Sequence, residues 1–143
     1  LARLYNLERE LDQALQEKIW LKSGGFLIIQ QTEAFVAIDV NTGKHSSKKD
    51  AEENYKQINR EAALEIARQL RLRNLSGMIL VDFINMKNTH DQSELLQYMG
   101  SLVRSDPMQT VVVDVTALGI MEITRKKSAK TLAEQLLQLK KGE

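Results

Sequence analysis

The sequence contains no cysteine, which excludes disulfide bonds, thiolate zinc sites and cysteine nucleophiles. It has one proline and 7 glycines in 143 residues, too few for a collagen-like or low-complexity chain. Neither sign of charge dominates, because 20 Lys and Arg stand against 19 Asp and Glu. No apolar run approaches the roughly 18 residues that a membrane span requires. We therefore expect a soluble globular protein in which any argument from charge must be local.

The chain length corresponds to one domain. The first residue is Leu1, in the middle of a helical pattern and without an initiator Met. We therefore expect the chain to be a piece of a longer polypeptide.

Short β-rich runs alternate with helical patterns along most of the chain. Two of these runs lie so close together that they predict a hairpin, and the others are separated by helix-length segments that predict crossover connections. The chain therefore predicts an α/β fold with a mixed, largely parallel central sheet, an antiparallel hairpin and flanking helices. The β-rich runs are 26–30, 34–40, 78–84, 109–116 and 120–124, and the helical patterns are 1–17, 50–70, 91–103 and a final helix from 131.

Two apolar β-runs end in the same polar pattern. AIDVN places Asp39 and Asn41 at the end of one run, and LVDFIN places Asp82 and Asn85 at the end of another. An Asp within an apolar strand needs a compensating partner, and two carboxylates with open positions are what Mg²⁺ usually receives from protein. Alternatively, each Asp caps a following turn, as the similar Asp114 in VVVDVT suggests. The pattern alone leaves both interpretations open.

Two clusters of basic residues could neutralise the phosphates of a nucleic acid. One follows the Asp39 run directly, in a segment with no apolar anchor that we expect to be poorly ordered without RNA. The other follows the last β-run. Short Lys-rich tracts are also ordinary solvated surface, so this alternative stays open. The candidate RNA-binding residues are Lys44, Lys48 and Lys49 in the first cluster and Arg125, Lys126 and Lys127 in the second.

Two long strings, SGGFLIIQQTEAFVAIDVNTG and EAALEIARQLRLRNLSGMILVDFINM, resemble the catalytic core of the bacterial ribonuclease E/G family. The resemblance runs from about Ile19 to Lys127. It implies that 22–127 is a deoxyribonuclease I-like catalytic core, that 1–21 is a helix and lead-in ending a ribonuclease H-like part, and that 128–143 is a C-terminal helix. It also implies that Asp39 and Asp82 bind a catalytic Mg²⁺, for which Mn²⁺ can substitute, and that Asn41 is a catalytic residue that organises them.

The resemblance implies a function as well. It is metal-dependent endonucleolytic cleavage of single-stranded RNA to 5′-phosphate and 3′-hydroxyl ends, during RNA processing and decay in the bacterial cytoplasm, by a full-length homo-oligomer. The alternative from another class is a non-catalytic assembly module. Two departures bear on these expectations. Asn85 stands where an acidic residue is expected, and the C-terminal KTLAEQLLQLKKGE lacks the Cys-x-x-Cys zinc link, so no zinc site is expected here.

Overall fold

The computed structural model describes residues 8–9, 16–43, 50–127 and 139–140. In these ranges six strands form one sheet, and two longer helices pack on it. The predicted terminal helices and the basic segment 44–49 lie wholly or mainly outside the described residues. The elements are β1 Lys18–Trp20, β2 Phe26–Gln31, β3 Val36–Asn41, α1 Ala51–Leu72, β4 Gly77–Asp82, α2 Thr89–Arg104, β5 Thr110–Val115 and β6 Met121–Arg125.

The predicted hairpin is confirmed as β2 and β3, which pair antiparallel. In the turn between them the backbone N–H of Phe35 donates to Oγ1 of Thr32, and this hydroxyl donates to the Phe35 carbonyl. β1 pairs antiparallel with β2 and forms one edge of the sheet. This strand was not predicted, because three residues are too few to show an alternating pattern.

Helix α1 carries the chain from β3 to β4, and its apolar stripe faces the sheet. Ile58, Ala62, Ile66 and Leu70 recur at helical spacing and are buried. Asp50 and Glu53 have the sequence spacing of a capping box, but this prediction is wrong, since the Asp50 side chain makes no capping hydrogen bond to the helix. The crossover places β4 beside β3 in parallel orientation, as expected for strands joined by a helix.

The second half of the sheet is antiparallel. Helix α2 begins after Asn88, whose side chain accepts from the N–H groups of His90 and Asp91, so the helix begins two residues before the predicted start at residue 91. β5 lies at the far edge, and a tight turn returns β6 between β4 and β5. The predicted mixed α/β fold is therefore confirmed. The sheet is less parallel than expected, because β3 and β4 are the one parallel pair among the five described.

The core lies between the sheet and the two helices. In β2, β3, β4 and β6 alternate residues are buried against the helices, as Ile38 and Val40 are in β3 and Ile79 and Val81 are in β4. The intervening residues point to the other side of the sheet, which we call the open face. Neither helix of the described ranges has the length and apolar character needed to cross a bilayer.

A buried ion pair joins the last strand to the end of α2. Nε of Arg125 lies 2.8 Å from Oδ2 of Asp106, and each side chain is 3% exposed. The same guanidinium donates to Oδ1 of Asn74 and to the Leu75 carbonyl, 2.9 Å each. Burial alone would raise the pKa of Asp106, but hydrogen bonds from the Arg125 guanidinium, the Met108 N–H and the Thr110 hydroxyl outweigh it and leave this pKa below the usual value. The ion pair therefore ties β6 to the residues that follow α2, at the end of the sheet where β4 begins.

Candidate active site

The two strand-end carboxylates lie side by side. Asp39 in β3 and Asp82 in β4 are direct partners in the parallel register, so their Cα atoms are about 5 Å apart, one strand spacing. Both residues are exposed. Because they alternate with the buried Ile38, Val40 and Val81, both side chains belong to the open face. Strands joined by a helical crossover are often neighbours, and the register of β3 and β4 brings these two residues together.

The environment of the pair is electrostatically unfavourable for two free carboxylates. Although the Asp82 residue as a whole is exposed, partial desolvation of its carboxyl group, and after it the negative charge of Asp39, raise the pKa of Asp82. Within the described part of the chain, no three His, Asp or Glu side chains come together as a metal site. The donors that the strand register brings together are thus the two carboxylates. Oxygen donors of this kind suit a hard divalent cation that keeps several waters or phosphate oxygens as its remaining ligands.

Asn41 supports the first carboxylate. Its side-chain Nδ2 donates to Oδ2 of Asp39 at 3.2 Å, and the two residues share the open face because they are two positions apart. The backbone around Asn41 is closely packed on the turn before β2. A Cβ atom on Gly25 would lie 2.7 Å from the Asn41 carbonyl oxygen, and one on Gly43, where φ is +73°, would collide with the Gly24 carbonyl. These glycines permit a contact that fixes the end of β3.

The segment after β4 is held by a buried amide. The Asn59 side chain is fully buried; it donates to the Ile84 carbonyl at 2.8 Å and accepts from the Ile84 N–H at 2.9 Å. This pair of bonds satisfies both backbone groups of Ile84. We call this pair of bonds the Asn59 clamp. It was not predicted, although an Asn on the apolar stripe of a long helix is a sequence feature that indicates a buried polar contact.

A cavity of about 510 Å³ adjoins Asp82. Its walls are the segment after β4, the start of α2 and the turn between β5 and β6. Asn85 is exposed and lines this cavity, rather than standing in the register row of the two carboxylates. Asn85 and Asp82 therefore line the same cavity.

The predicted RNA-binding residues do not form one cluster around the carboxylates. Lys44, Lys48 and Lys49 lie outside the described residues. Lys126 and Lys127 are exposed, but Arg125 pairs with the first residue of β4, so both lysines follow the opposite end of the sheet from Asp82.

At about 3.3 Å per residue, β4 separates these lysines from the carboxylates by about 17 Å. The expectation that Arg125 binds RNA does not fit its position, because its guanidinium is buried and bonded to Asp106. A run of basic residues in the sequence does not distinguish an inward-facing strand residue from the exposed ones that follow it.

Comparison with known proteins agrees with the family resemblance. The Ribonuclease E/G family matches residues 1–128. Ribonuclease G of Escherichia coli strain K12 is 41% identical over 133 residues, which are 93% of this chain and 27% of that protein. Ribonuclease E of Nostoc sp. PCC 7120 is 40% identical over 130 residues, 91% of this chain and 19% of that protein. The chain thus spans about a quarter or less of the length of these curated relatives. Since the match extends over most of its residues, the chain belongs to the Ribonuclease E/G family.

Proposed function

We propose that this chain carries the catalytic carboxylates of a metal-dependent endoribonuclease. The observation that supports this proposal is the register that makes Asp39 and Asp82 neighbours on the open face of the sheet. Family membership gives the substrate class, since the relatives are named ribonucleases. The proposed substrate is single-stranded RNA, and the proposed role is RNA processing and decay.

Asp39 and Asp82 would hold one Mg²⁺ or Mn²⁺ ion. The fit rests on their oxygen donors and on their adjacency in the strand register. The pKa of Asp82 is raised by desolvation and, after it, by the negative charge of Asp39, and a bound cation would offset both effects. The chemistry supplied by such an ion is activation of a water for in-line attack on phosphorus and neutralisation of charge on the phosphate. This attack would leave 5′-phosphate and 3′-hydroxyl ends.

The remaining residues of the site would keep this arrangement in place. Asn41 restrains the carboxylate of Asp39 through its hydrogen bond and is the positioning residue of the site. Asn59 holds Ile84 and thereby the chain that leaves Asp82. Lys44, Lys48 and Lys49 follow β3 directly in the sequence, and we assign them contacts with the RNA backbone. Lys126 and Lys127 would reach only an RNA that extends along β4.

The test is cleavage of an unstructured, fluorescently labelled RNA oligonucleotide by the full-length protein. We expect cleavage in Mg²⁺ or Mn²⁺, loss of cleavage in chelator, and a decrease of about 100-fold or more for Asp39→Asn and Asp82→Asn. Asp114→Asn is the matched control, since Asp114 is also an exposed strand aspartate but lies in β5, two strands from Asp82. Cleavage that persists in chelator, or that all three variants retain, would refute the proposal. Digestion of the products by a 5′-phosphate-dependent exonuclease tests the proposed ends.

An assembly module is the second candidate, and the exposed edge of the sheet is the observation that favours it. β5 exposes Val111, Val113 and Val115 at that edge, and an unpaired apolar edge strand can add a strand from another chain. Analytical ultracentrifugation of the parent and of a Val113→Lys variant tests this candidate. A parent that stays monomeric would exclude assembly through this edge.

A further inference from the structure

A lysine and two aromatic rings form an exposed cluster on β1 and β2. The ring centroids of Trp20 and Phe26 are 5.2 Å apart. Nζ of Lys18 lies 4.3 Å from the centroid of the Trp20 ring and 4.2 Å from that of Phe26. Trp20 is 63% exposed, although it is the largest side chain of the sheet. The cluster thus presents a broad aromatic surface and a positive charge to the outside.

The strand register connects this cluster with the carboxylate pair. Trp20 is the partner of Phe26, and Phe26 is the partner of Asn41. In the neighbouring row Lys18 is aligned, through Ile28, with Asp39 and Asp82. Partners in register share a face of the sheet, and so do residues two positions apart. The cluster therefore lies on the open face beside the proposed catalytic site.

The distances suit a short stretch of single-stranded nucleic acid. Three strand spacings separate β1 from β4, which is about 14 Å. A stacked strand advances about 3.4 Å per nucleotide, so this separation corresponds to about four nucleotides. Phe26 lies in β2, one strand from β3, and is therefore closer to the carboxylate pair than Trp20 is.

Packing between β1 and β2 does not account for the exposure of Trp20. A cross-strand aromatic pair stabilises a hairpin, but an aromatic ring that serves only this purpose gains most when it is covered. An exposed ring beside a cation is instead the chemistry by which proteins bind single strands, since a base stacks on the ring and a lysine neutralises the adjoining phosphate. The occupant that fits both groups is single-stranded RNA.

We propose that Trp20, supported by Phe26, stacks a base of the RNA within about four nucleotides of the bond cleaved at Asp39 and Asp82, with Lys18 neutralising a phosphate beside that base. This inference rests on the proposed function and names a substrate contact for it. We call Trp20 and Phe26 the aromatic platform. Stacking does not require a particular base, so the platform would add affinity and position the RNA strand without sequence preference.

Fluorescence of the 143-residue chain tests the platform directly, because Trp20 is its only tryptophan. The probes are a ten-nucleotide oligouridylate and an oligomer of the same length with abasic riboses, both in low salt with chelator so that no cleavage occurs. We expect the oligouridylate to quench the Trp20 fluorescence of the parent protein. The abasic oligomer should bind the parent at least about fivefold more weakly than the oligouridylate does.

Trp20→Ala should weaken oligouridylate binding at least about fivefold, measured by anisotropy of labelled RNA, and Trp20→Phe should restore part of that loss. Val111→Ala is the matched control, because Val111 is also an exposed open-face residue of an edge strand, on the far side of the sheet. It should remain within twofold of the parent. Thermal unfolding of each variant verifies that it is folded.

Three results would overturn the platform. They are equal binding of the two oligomers by the parent, oligouridylate binding by Trp20→Ala within twofold of the parent, and no measurable binding by the parent. Concentration-dependent association of the parent that Trp20→Ala abolishes would assign the cluster to a protein interface instead. Since binding is measured in chelator, its outcome is independent of the cleavage test. A protein that stacks the base but cleaves without need of Asp39 and Asp82 would refute the proposed function alone.

Discussion

Replacement of either paired carboxylate by asparagine should stabilise the metal-free protein and destabilise it relative to the parent once metal is added. Asp39→Asn and Asp82→Asn each remove one of two adjacent negative charges. Either asparagine keeps the shape of the side chain, and the one at position 39 keeps an oxygen that can accept the Asn41 hydrogen bond. The change therefore isolates the charge.

The strand register gives the size of the effect. With the strand spacing of about 5 Å taken as the separation of the charges, two unit charges repel by about 0.8 kcal/mol in water and about 3 kcal/mol at an effective dielectric of 20. Both residues are exposed, so the lower value applies, and we expect each variant to gain about 1 kcal/mol in free energy of unfolding. This corresponds to a rise in Tm of about 3 °C. With 10 mM Mg²⁺ and a Kd of about 1 mM, the parent alone gains about 1.4 kcal/mol in free energy of unfolding. The parent then becomes more stable than either variant.

Differential scanning fluorimetry of the chain in chelator and in Mg²⁺ measures both parts of this prediction. Asp114→Asn is the control for the metal response and should show the same Mg²⁺ stabilisation as the parent. If the paired variants lose stability in chelator and the parent does not respond to millimolar Mg²⁺ or Mn²⁺, the carboxylates are structural caps and the reasoning fails.

Three further predictions concern the framework of the site. Asp106→Asn leaves the charge of Arg125 buried without its counterion and should cost about 3 kcal/mol or more by urea denaturation. The folded pKa of Asp106 lies below its unfolded value, so in the parent this stability is present above the unfolded pKa and is lost as the pH falls through the folded pKa. A variant with an unchanged urea midpoint would contradict this role. Asn59→Ala leaves both backbone groups of Ile84 without partners and should cost about 1–3 kcal/mol by the same assay, with faster amide exchange at residues 83–86. Unchanged exchange there would show that the clamp is dispensable. Gly25→Ala forces a Cβ within 2.7 Å of a backbone oxygen of β3 and should lower both Tm and RNA cleavage. Gly100→Ala is its control, because a Cβ there meets nothing within 4 Å and should leave Tm unchanged or slightly raised; equal effects of the two substitutions would refute the close-packing argument.

The part of the fold that local patterns determine was predictable from the sequence. The stripe of apolar residues on α1 and the two apolar runs of the hairpin gave their elements, because burial on one side imposes a helical or alternating period. The adjacency of Asp39 and Asp82 agrees with the rule that strands joined by a helical crossover are often neighbours. The resemblance to the Ribonuclease E/G family is likewise confirmed.

Features that depend on long-range partners were not predictable. The position of β6 between β4 and β5 is set by sheet pairing that no local pattern encodes, so the sheet was expected to be more parallel than it is. Arg125 was grouped with its exposed neighbours because its ion partner, Asp106, lies in a different element. The open-face alignment of Trp20 with the carboxylate strands required the register of β1, a strand too short to predict.

The parallel register of β3 and β4 also restricts how this protein can change during evolution. A single-residue deletion within either strand would move one carboxylate to the helix-covered face, because neighbouring strand residues point to opposite sides. A two-residue slip would restore the face but displace the carboxylates by about 7 Å along the strand. Insertions and deletions should therefore be excluded between Val36 and Asp39 and between Ile79 and Asp82 in any lineage that retains the paired site, even where the surrounding connections vary in length.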